Sequence, residues 1–108
     1  MKAVEIQGKK VYVESLKFKD FIRFVELINK ILKDAENDTL RVSKYLEEAI
    51  PLMSAMSGLP KEEVENLKAS DALKLLRTCI EVIKEDEDFL KNLKEAIQTL
   101  RESLSMKQ

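Results

Sequence analysis

The chain has 108 residues, 44% hydrophobic and 36% charged, with Lys+Arg at 19 against Asp+Glu at 20. This much apolar content excludes intrinsic disorder, and two glycines with two prolines exclude a linker or fibrous chain. The formal charge of −1 supplies no net basic field for nucleic acid or anionic membrane, and with no histidine the commonest general base and transition-metal ligand are missing.

Residues 1–108 read as one domain, with a β-hairpin over 1–14 and a helical region over 18–105. The expected fold class is mainly α, about five helices packed with a short N-terminal hairpin. In the hairpin, Val4 and Ile6 alternate with Glu5 and Gln7, and Val11 and Val13 alternate with Tyr12 and Glu14. A Gly8-Lys9 loop with glycine first suits a type II′ turn, pairing Ile6 with Val11 and Val4 with Val13. All four apolar side chains then share one face, which a helix must cover.

From Phe18 to Lys33 the period turns helical. Phe18, Phe21, Ile22, Phe24, Val25, Leu27, Ile28, Ile31 and Leu32 cover roughly 220° of the circumference, about twice what a surface helix needs. This helix is therefore either sandwiched inside the domain or meets a partner with its second side. Asp34–Asp38 reads as a polar loop in which Asp38 caps a helix starting near Thr39 and carrying Leu40, Val42, Tyr45, Leu46, Ala49 and Ile50. Pro51 is expected to kink that helix or open a fresh turn, with Leu52, Met53, Ala55 and Met56 beyond it and Gly58 at its C′ position. Pro60 with Glu62 and Glu63 starts a short helix ending around Lys68. Ser70 caps the next, whose face is Ala72, Leu73, Leu76, Cys79, Ile80 and Ile83. After the acidic break Glu85–Asp88, a last helix sets Leu93, Ile97, Leu100 and Leu104 at the four-three-four spacing of a helix–helix seam.

Chemical equipment is sparse. A calcium loop started at Asp34 has acids at its first, third and fifth positions but Thr39 and Tyr45 where glycine and glutamate are needed; started at Asp86, those places hold Lys91 and Ile97. Cys79 lies on an apolar face and reads as a small buried hydrophobe; one cysteine makes no intramolecular disulfide. The pairs Glu47-Glu48 and Glu62-Glu63 are sequence neighbours and diverge on a helix. No catalytic, cofactor or metal residues are assigned, and no enzyme activity is expected. The basic stretch Lys9, Lys10, Lys17 and Lys19 is diluted by Glu5, Glu14 and Asp20, and reads as solvated faces rather than a nucleic-acid site. No window of signal-peptide or membrane-span character occurs, so the expected location is cytoplasmic. Met53 and Met56 beside Pro51 suit either an irregular core corner or an adaptable binding surface.

The order of features resembles the tail assembly chaperones of long-tailed bacteriophages and prophages. The resemblance is carried by the hairpin VEIQGKKVYVESL and by PLMSAMSGLPKEEVENLKASDALKLLRTCIEVIKEDEDFL. The second segment gives an apolar helix, Ser57-Gly58-Leu59, a proline-acid start, then Leu67-x-x-x-Asp71-Ala72. It implies a non-catalytic protein of the bacterial host cytoplasm that coats the long helical tape measure protein and helps tail tube protein polymerise around it. It also implies self-association, and in many such phages a longer frameshifted form. No cofactor, nucleic acid or membrane is implied. Recognition of an amphipathic client helix in a hydrophobic groove is the expected mechanism. The residues expected to contact a client or a second copy are Phe24, Leu27 and Ile31, on the second side of the first helix, and Leu52, Met53 and Met56, flanking Pro51. Rival readings are a small helical adaptor or antitoxin-like protein-binding module, and a nucleic-acid-binding helical domain.

Overall fold

A computed structural model describes residues 1–36 and 42–106. The elements in chain order are β1 (Lys2–Ile6), β2 (Lys9–Val13), α1 (Phe18–Glu36), α2 (Val42–Ser57), α3 (Lys61–Glu65), α4 (Ala69–Glu85) and α5 (Glu87–Met106). The chain is mainly helical, with the expected antiparallel hairpin at its N-terminus. Val4, Ile6, Val11 and Val13 are all buried, so the hairpin's apolar face is the one its alternation predicts.

The turn differs from expectation. Gln7 and Gly8 form it, with φ of 52° and 77°, so both central residues are left-handed as in a type I′ turn. Val4 consequently faces Val11, and Lys2 faces Val13. Moving the pairing by two residues preserves which side chains point inward, because side chains alternate with period two. Both turn types match the strand twist, and the type I′ arrangement is adopted although glutamine is an unusual left-handed residue.

α1 runs on to Glu36, absorbing Asp34, which was expected in a loop; the predicted cap Asp38, the start at Thr39 and Leu40 lie outside the described residues. α2 continues through Pro51, so no fresh turn opens there. The helix bond lost at proline is the one to the Glu47 carbonyl, and Glu47 is an exposed residue whose carbonyl can turn to water. Gly58 closes α2 with φ of 78°, donating its N–H to the Ser54 carbonyl at 2.9 Å in an αL cap. Ser54 Oγ donates to the Leu59 carbonyl, and Ser57 Oγ donates to the Met53 carbonyl, each at 2.6 Å. The first of these folds the following turn back onto the helix.

α3 is shorter than predicted, ending at Glu65 rather than near Lys68, with the Asn66 N–H bonded to the Glu62 carbonyl. Lys68, not Ser70, precedes α4 as its cap residue. The buried face of α4 is Leu75, Leu76, Thr78, Cys79, Ile80, Val82 and Ile83, while Leu73, assigned to that face from the sequence, is exposed.

The core lies where α2 and α4 meet, closed on one side by the hairpin and on another by α1. The Glu14 N–H reaches the Met56 carbonyl at 2.9 Å, joining the end of β2 to the end of α2. Lys2 Nζ bridges Glu81 at 3.0 Å and Glu85 at 2.7 Å, pinning β1 along α4. Only Asp86 separates α4 from α5. The molecule measures 55 × 26 × 23 Å, with a Cα radius of gyration of 15.2 Å. A spherical domain of this length is expected near 13 Å. The elongation reflects α5, about 30 Å of helix at 1.5 Å per residue, which contacts α4 and extends past the body.

Candidate functional site

The six residues expected to meet a partner are all interior. Phe24, Leu27, Ile31, Leu52, Met53 and Met56 belong to the core cluster, none more than 9% exposed. The structure brings them together, but as packing between α1 and α2. The Met-rich segment around Pro51 fills the core corner under the hairpin. The sequence reading of these six as surface contacts is corrected accordingly.

The surplus on α1 is nonetheless present, on the other flank. At about 100° per residue, Leu27, Ile31, Phe24 and Ile28 span one half of the apolar arc, and Phe21, Val25, Phe18 and Ile22 the other. The first half is buried. On the second half, Phe18 is 75% and Ile22 57% exposed, with Phe21 and Val25 intermediate. Phe18 stacks on Phe21 with ring centroids 6.4 Å apart, so these two aromatics form one flat apolar patch.

α5 supplies a second strip. Leu93 is partly buried, Ile97 is exposed, and Leu100 and Leu104 are 62% and 59% exposed. The seam read from their spacing therefore exists without a partner in this chain. The two strips join at an open groove of about 430 Å³, walled by Leu16, Phe18 and Phe21 on one side and Leu93 and Ala96 on the other. Asp86 and Asp88 add its polar lining. Apolar side chains thus lead from the start of α1 into a groove shared with the base of α5, among Asp86, Asp88 and Asn92.

The electrostatics around the strip follow from helix geometry. Lys94 and Arg101, seven residues apart, lie along one flank of the α5 stripe, while Ala96 and Ser103 line the opposite flank. Both cations are exposed, and among the described residues no carboxylate lies within salt-bridge distance of either.

Elsewhere the charged groups serve the fold. Hydrogen bonds from Lys2 hold the Glu81 carboxyl below its ordinary range, and Glu85 and Glu81 together raise Lys2. Cys79 is fully buried, and desolvation pushes its thiol up to about 12, which leaves it an inert packing group. Among the described residues no group of three or more His, Cys, Asp or Glu is placed to hold a metal ion, and no helix is long and apolar enough to cross a membrane. What the arrangement can do is bury apolar surface against another polypeptide.

Comparison with protein-family models, with curated proteins and with solved structures finds no match to this chain.

Proposed function

We propose that the protein is a phage tail assembly chaperone, acting non-catalytically in the host cytoplasm by holding helical segments of the tape measure protein while tail tube protein assembles. The observation that carries this reading is the exposed apolar residues of α1 and α5, from Phe18 and Ile22 to Leu100 and Leu104, with a groove between the two helices. A chaperone for a long amphipathic helix needs an elongated, greasy and accessible strip, and α5 offers about 30 Å of one. The resemblance of the hairpin and of the segment from Pro51 to Leu90 supplies the identity of the client.

Co-expression with a tape measure fragment tests the proposal. The fragment is expected to become soluble and to co-purify with the chain through gel filtration. A fragment that stays insoluble and never co-elutes contradicts it.

A further inference from the structure

We draw no further inference here: the strongest candidate, the exposed apolar stripe of α5 with the groove at its base that it shares with Phe18 and Phe21 of α1, carries none, because nothing in the structure shows what covers it.

Discussion

Gln7 sits at φ 52° in the hairpin turn, a region L side chains other than Asn and Asp enter at a cost of roughly 1–2 kcal/mol. Gln7→Asn is expected to stabilise the chain by up to about 1 kcal/mol in urea denaturation, because Asn tolerates that conformation. Gly8 was visible as a turn residue, but its place in the turn was not, since glutamine carries no left-handed signature. Residue-level contrast also separates core from exposed apolar surface. Met53→Asp is expected to cost about 4 kcal/mol or more, because it buries a carboxylate in a site only 1% exposed. Leu100→Asp should cost less than about 1 kcal/mol, little beyond helix propensity. Chemical denaturation of both variants checks the pair. The Lys2–Glu81–Glu85 cluster adds a pH dependence. Glu81's carboxyl is lowered in the folded state, so its contribution is present above the unfolded carboxylate value and is lost as pH falls through the folded one. Lys2 is raised, so its contribution is present below the unfolded amine value and is lost as pH rises through the folded one. Thermal melts between pH 3 and pH 7 should therefore show Glu81→Gln with a shallower acid-side loss than wild type. The difference should fade in 1 M salt, because these side chains are at least a third exposed.

Element by element, periodicity made most of the fold readable. The hairpin's inward face, the helical start at Phe18, the Gly58 cap and the acidic break before the last helix all came from local patterns with one physical meaning. The helix through Pro51 did not, because whether the orphaned carbonyl of Glu47 reaches water is a tertiary matter. On α1 the apolar arc was legible in width but not in direction. Both halves are apolar, and which half turns inward depends on where α2 lies, information no single helix carries. The seam spacing on α5 was readable, yet the contact residues were expected on α1 at Phe24, Leu27 and Ile31 and beside Pro51 at Leu52, Met53 and Met56, all of which serve the core. The two helices also differ in how they are held. α4 is covered by α2 and the hairpin, whereas the distal turns of α5 are exposed and rest on helix backbone bonds and a Gln98–Glu102 side-chain bond within α5. Amide hydrogen exchange should show strong protection for Leu76–Ile83 and exchange at least a hundredfold faster beyond Ile97. Equal protection along both helices would mean that α5 is already covered in solution.

Taken whole, the molecule is a compact hairpin-and-helix body with one projecting arm, 55 Å long and about half as wide. Its near-neutral charge leaves long-range steering weak, so recognition of the proposed client would rest on apolar area. The body holds its own core without help, as the fully buried Val13, Ile28, Leu52, Leu75 and Cys79 attest. Most of the exposed apolar residues lie on α1 and α5, with Tyr12 and Leu73 exposed elsewhere, and the dimensions of that strip suit a helix rather than a small ligand. Amide exchange of the full chain, alone and saturated with a tape measure fragment, maps where that excess goes. New protection confined to residues 18–25 and 93–104 is the expected pattern. Protection that appears elsewhere and leaves both strips exchanging freely would contradict it.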